Sequence, residues 1–269
     1  MIQQIKSWLE DATVDIFIGY RDVDGHAVPH GYTADRLEEL GNWTVGTHRY
    51  PLETFALHLA RIHPEATIGL LGRDCNQRAL NVLSVWNQLH ADRIRVLSLS
   101  CCPSALKTRA DCSYLVPRKS GSFKHQVGVD AEMEAAELEA LPSGERWARW
   151  AYEFQKCIKC YGCRDICPVC FCAECSLESD ELVGTGKLPP EVPIFHLVRA
   201  THMAGRCVDC GLCEEACPAD IPLRLLYRKV NAIVEDLFGY QTGSDTAQPP
   251  LSVLGDRVEL EPLPMEKTG

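Results

Sequence analysis

"CIKCYGCRDICP", residues 157–168, places cysteines at Cys157, Cys160, Cys163 and Cys167, with Pro168 directly after the last. "CVDCGLCEEACP", residues 207–218, repeats the spacing at Cys207, Cys210, Cys213 and Cys217, again followed by proline. The chain has 269 residues, of which 15 are cysteine and 46% hydrophobic, so it is globular and long enough for one large or two modest domains. The start, "MIQQIKSWLEDATVD", carries charges where a secretory signal needs an apolar run. No apolar run is long enough to cross a membrane, so no membrane insertion is expected. A cytoplasmic location follows as an expectation, and there short, repeated cysteine spacings point to metal rather than disulfides. A net charge of −10 repels phosphate and argues against nucleic acid as a partner.

Zinc ribbons supply cysteines in pairs, four per ion. Here each run has three cysteines at x2 spacing and a fourth after x3, then proline. That is similar to the spacing of bacterial ferredoxins, which hold [4Fe–4S] clusters. Three thiolates at x2 intervals can wrap one loop around three corners of a cubane. Small residues such as Gly162 and Gly211 let the backbone come close and aim N–H groups at sulfur. In two-cluster ferredoxins the fourth cysteine serves the other cluster. The expected ligand sets are therefore Cys157, Cys160, Cys163 and Cys217 for cluster 1, and Cys207, Cys210, Cys213 and Cys167 for cluster 2.

A long gap separates the runs. Within it, "PIFHLVRATHMAGRC" predicts a helix after Pro193, with Phe195, Val198, His202 and Met203 at helical intervals. After Pro222 a second helix is predicted, with Leu226, Val230, Ile233, Val234 and Leu237 on one face and Gly239 at its end. This resembles the α-helical type of dicluster ferredoxin module found in succinate dehydrogenase-like and heterodisulfide reductase-like electron-transfer subunits, across roughly residues 146–240. Eight cysteines complete two clusters, so His196 and His202 read as core or surface histidines rather than ligands.

The N-terminal part reads as α/β. "VDIFIGY" (14–20), "ATIGLLG" (66–72) and "RIRVLSLSC" (93–101) predict strands. Helices are predicted over 52–64 and over 76–90, the second burying Ala79, Leu83, Trp86 and Leu89. Strand, helix, strand at this spacing implies a right-handed crossover and a parallel sheet. The loop "GRDCN" (72–76) falls at a strand's carboxyl end but lacks the G-x-G-x-x-G fingerprint, so no nucleotide site is expected there. The predicted organisation is an α/β domain over 1–125, a linker helix over 126–145 broken at Pro142 and Gly144, a dicluster ferredoxin-like domain over 146–242, and an extended or disordered tail over 243–269. Trp147 and Trp150 are candidates to shield the first cluster from water.

"GLLGRDCNQRALNVLSVWNQLHADRIRVLSLSCC" (69–102) is similar to the N-terminal domain of the coenzyme F420 hydrogenase/formate dehydrogenase β-subunit family. "KCIKCYGCRDICPVCFCAECSLES" (156–179) resembles the cysteine-rich stretch of its formate dehydrogenase branch. The resemblance implies an electron-transfer subunit serving a catalytic partner: a formate dehydrogenase, a hydrogenase or a heterodisulfide reductase-like assembly. Flavin-containing members hold FAD on a glycine-pair loop. This chain has no Gly-Gly pair, so FAD is not expected. The competing readings are a flavin-containing oxidoreductase subunit with its own catalytic site in the N-terminal domain, and a structural or sensing cluster protein. No acid–base or nucleophile set stands out, so no catalytic residue is assigned. Cys75, Cys101, Cys102, Cys112, Cys170, Cys172 and Cys175 are left over. They pack as small hydrophobes, or some of them hold a third metal centre, a third [4Fe–4S] cluster, between the domains.

Overall fold

The computed structural model of the chain describes residues 1–45, 49–99, 135–184, 191–244 and 249–250. Its N-terminal body is a mixed sheet with helices packed against it. Helix α1 (Ile2–Glu10) leads into β1 (Ile16–Val23), β2 (His26–Tyr32) and the short β3 (Trp43–Thr44). Then come α2 (Leu52–Ile62), β4 (Ile68–Gly72), α3 (Asp74–Val85) and β5 (Ile94–Ser98). The sheet order is β2-β1-β4-β5, with β3 also on β1. Strands β1, β4 and β5 are parallel, in the register Ile16↔Ile68 and Ile68↔Ile94. β4 is apolar or glycine throughout and wholly buried, as a central parallel strand requires.

The sheet is not purely parallel as the sequence reading had it. β2 and β3 pair with β1 antiparallel. The cause is a two-residue turn: Asp24 and Gly25 both take positive φ, the arrangement that matches the twist of a hairpin.

Helix α3 is shorter than predicted and has two apolar faces. It stops at Val85, and Asn87 takes a left-handed conformation. Leu80 and Leu83 pack into the sheet's core with Ile68, Leu70 and Leu89. Ala79, Val82 and Trp86 face the other way, into the cysteine-rich body. So Ala79 and Leu83 do not share a face; they belong to two different cores.

The C-terminal body is helical. α4 (Ala135–Ala140) and α5 (Ser143–Gln155) precede it. The break falls at Pro142, whereas Gly144 lies inside α5. Two one-turn helices, α6 (Gly162–Asp165) and α8 (Leu212–Glu215), sit within the cysteine runs, with α7 (Ile194–His202) between them and α9 (Leu223–Phe238) after them. Pro222 precedes α9, and Gly239, left-handed at φ 61°, ends it by donating its N–H to Glu235. The buried face of α9 carries Leu223, Leu225, Tyr227 and Val234. Ile233 and Leu237, predicted on that face, are exposed, Leu237 at 70%. In α7 the buried positions are Phe195, His196, Arg199 and Ala200, while His202 is exposed. The predicted boundary near 125, and most of the predicted tail, lie outside the described residues.

Candidate metal centres

The two cysteine runs fold as near-copies. In each, the residues flanking the second cysteine take left-handed φ: Lys159 at 49° and Tyr161 at 58° in the first run, Asp209 at 56° and Gly211 at 78° in the second. This winding turns the loop inward, so three side chains of one run face a common centre. It also aims main-chain N–H groups at sulfur: Lys159 N lies 3.4 Å from Cys157 Sγ. Each run then makes a single helical turn, α6 or α8. The fourth cysteine follows, with Cys167 N–H on the Arg164 carbonyl at 3.1 Å and Cys217 N–H on that of Glu214 at 3.2 Å.

Gly162 does not supply the left-handed residue of its run; Tyr161 does. A side chain at Gly162 would stand 3.3 Å from the Ala216 carbonyl oxygen and 3.6 Å from Cys160 Sγ. The glycine is there for the close approach of the two runs to each other.

Two cavities result. One, of about 330 Å³, is lined by Cys157, Cys160, Cys163 and Cys217, together with Ile158, Phe195 and Ile221. The other, of about 360 Å³, is lined by Cys167, Cys207, Cys210 and Cys213, together with Arg199, Val208 and Tyr227. Each thus gathers three thiols of one run and the last thiol of the other.

The donor set fits iron–sulfur clusters. Zinc draws four ligands to within about 2.3 Å of one atom. Among the described residues no three Cys, His, Asp or Glu side chains converge in that way. A cubane instead takes one thiolate at each of four separate corners, which asks for four thiols spread around a cavity. Burial pushes the free thiols up: Cys163 to about 11, Cys207 to about 12, and Cys213 well above its ordinary value. Thiolates in such a setting need compensating positive charge, which an iron–sulfur core would supply.

Arg199 is the residue that sequence reasoning missed. It is 3% exposed. Its Nη2 donates to the Cys163 carbonyl at 2.7 Å, its Nη1 to Cys170 Sγ at 3.2 Å, and its Nε has no partner. The only hint in the sequence is a cation four residues after Phe195 on an otherwise apolar face.

No three of the leftover cysteines among the described residues are brought together. Cys75 is in the first turn of α3, near Cys210 and Arg49. Cys170 meets Cys167 and Arg199. Cys172 is exposed beside Arg206, and Cys175 packs near Cys157 and Tyr161. Cys101, Cys102 and Cys112 lie outside the described residues.

The tryptophans do not line the first cavity either. Trp147 is 49% exposed, and Trp150 packs on Leu138, Leu225 and Phe154. His196 is buried against Phe154 and Phe195, with neither ring nitrogen partnered. Burial, seconded by Arg199, pulls its pKa down to about 4.

The N-terminal body closes over the second cavity. Arg78 of α3 donates through Nε and Nη2 to the Val208 carbonyl at 3.2 and 3.1 Å, and Arg49 reaches the Cys210 carbonyl at 2.8 Å. The first cavity stays near the surface: Cys160 is exposed and Ile158 is 52% exposed. No helix among the described residues is long and apolar enough to cross a membrane.

Comparison with known proteins agrees with this chemistry. Residues 200–222 match the 4Fe-4S binding domain family. The chain is 47% identical over 113 residues to the F420-dependent formate dehydrogenase subunit beta of Methanocaldococcus jannaschii, covering 42% of this chain and 29% of that protein. It is also 47% identical over 148 residues to the F420-dependent formate dehydrogenase 1 subunit beta of Methanococcus maripaludis, covering 55% of this chain and 35% of that protein. The matched stretches thus amount to roughly a third of each relative's length. The chain therefore carries a segment that matches the 4Fe-4S binding domain family and, over about half of its own length, is similar to F420-dependent formate dehydrogenase β subunits.

Proposed function

We propose that the chain is an electron-relay subunit holding two [4Fe–4S] clusters. Cys157, Cys160, Cys163 and Cys217 hold one; Cys167, Cys207, Cys210 and Cys213 hold the other. The observation that carries this reading is the pair of neighbouring four-thiol cavities, each completed by a cysteine of the other run. When bound, the clusters supply one-electron storage without making or breaking bonds to a substrate. The chain's residues do the rest. Apolar lining from Ile158, Phe195 and Ile221 limits water at the first centre. Tyr227, Val208 and the N-terminal body do so at the second. Sharing ligands between the runs fixes the distance between the centres, so the relay does not depend on a flexible joint.

The difference in exposure between the two cavities supports a direction for such a relay. Cys160 and Ile158 form an exposed end, and the second centre lies under Arg49 and Arg78 at the N-terminal sheet. The names of the relatives favour the catalytic subunit of a formate dehydrogenase as partner, ahead of a hydrogenase or a heterodisulfide reductase-like assembly.

Iron, acid-labile sulfide and flavin per polypeptide, measured after anaerobic purification, test this. About eight irons and no flavin are expected. About four irons would defeat the two-cluster reading. Stoichiometric FAD would favour a subunit with its own catalytic site in the N-terminal domain.

A further inference from the structure

We infer that Arg199 is a counter-ion shared by the two clusters, and that its charge sets the reduction potential of both. This inference rests on the two-cluster reading above. Arg199 hydrogen-bonds the main chain of Cys163, a thiol of the first cavity, and itself lines the second. Its charge also acts on Cys167 and Cys170. No other described cation touches both cavities.

Its burial without a carboxylate partner is the decisive feature. Of the other cations around the runs, three are neutralised locally, while Arg78 and Arg206 are only half-buried. Arg49 pairs with Glu215, Lys159 with Glu191 at 2.8 Å, and Arg224 with Asp209 at 2.9 Å. Arg199 has no carboxylate partner among the described residues. It is buried against thiols, carbonyls and the ring of Tyr227. An unpaired buried cation is strongly disfavoured unless an anion compensates it. A cluster with four thiolates is an anion, and it gains a further negative charge on reduction. A fixed cation between two such anions lowers the energy of each reduced state more than that of the oxidised state. It also softens the repulsion when both are reduced.

The test is a potentiometric titration of the whole protein, followed by electron paramagnetic resonance. It compares wild type with Arg199→Met, Arg199→Gln and Arg199→Lys, with iron counted in each. In the neutral variants, the reduced-to-oxidised ratio of both clusters should fall at least tenfold at a fixed ambient potential, a shift of about 59 mV or more. Arg199→Lys, which keeps the charge, should restore most of it. If the neutral variants fail to retain iron while Arg199→Lys retains it, the cation is needed for the clusters to be held at all, and the inference stands. It is overturned if the neutral variants load fully with both potentials unmoved. It is equally overturned if only one cluster shifts, or if Arg199→Lys behaves like Arg199→Met, since the guanidinium fork rather than the charge would then matter. A wild-type protein that binds only one cluster would sink the two-cluster reading instead.

Discussion

Arg49, just ahead of α2, donates through Nη1 to the main-chain carbonyl of Cys210 at 2.8 Å while pairing with Glu215 of α8. One side chain from the sheet domain therefore grips both the loop and the helix that frame the second centre. The pair is nearly closed off from solvent, with side-chain exposures of 4% and 17%. Removing one member of such a pair strands the other charge, at a cost of about 3 kcal/mol or more. Arg49→Leu should therefore lower the urea concentration at which the second cluster's absorbance bleaches. The double variant Arg49→Leu/Glu215→Leu should recover much of the loss, because no charge is left unpaired. Equal losses in the single and double variants would show that the carbonyl contact, not the ion pair, holds the joint.

The proposed crossing of ligands makes a sharper prediction. Cys167→Ser and Cys207→Ser lie in different runs, yet both should abolish the same resonance signal and spare the other. Cys163→Ser and Cys217→Ser should do the reverse. Each variant should keep about four of eight irons. Pairing by run, with Cys163→Ser and Cys167→Ser erasing one signal, would contradict the proposed ligand sets.

Much of this arrangement was legible in the sequence. The spacing of the two runs points to the thiols that the two cavities gather, and β4 and the first half of β1 are plain apolar strands. The hairpin has a signal too, since Asp24-Gly25 is a strong two-residue turn, but the flanking β2, "HAVPHGY", alternates poorly and masks the strand. The two-sided burial of α3 was not legible, since periodicity shows that a residue is apolar but not which of two cores it meets. Arg199 was hidden for a physical reason. A buried cation looks like an error on an apolar face until the anions that balance it are placed around it.

Glu53 gives a pH-dependent signature. It is 1% exposed, accepts a hydrogen bond from Asn76 Nδ2 at 2.7 Å, and has Arg73 and Arg49 nearby. Burial outweighs these partners and raises its pKa from 4.5 to about 7. The folded state thus keeps a proton that the unfolded state has lost. Its contribution is full below the unfolded pKa and is lost as pH rises through about 7. On the order of 3 kcal/mol is at stake across that window. Glu53→Gln should remove this decline, being close to wild type at pH 5 and more stable at pH 8, as read by urea unfolding. Parallel pH profiles in wild type and variant would rule the group out.

The two centres should also differ in their vulnerability. The first has the exposed thiol Cys160 at its edge and Ile158 half out of the protein, whereas the second is roofed by Arg49, Arg78 and the buried face of α3. Solvent access governs how readily a chelator or oxygen reaches iron. Under an iron chelator, the signal abolished by Cys163→Ser should therefore decay several-fold faster than the one abolished by Cys207→Ser. Ile158→Ala should quicken the first decay and leave the second alone. Arg78→Ala, which loosens the roof through the Val208 carbonyl, should do the opposite. Simultaneous loss of both signals in every variant would mean that the centres are released by unfolding of the whole module, and that the exposed edge at Ile158 does not control access.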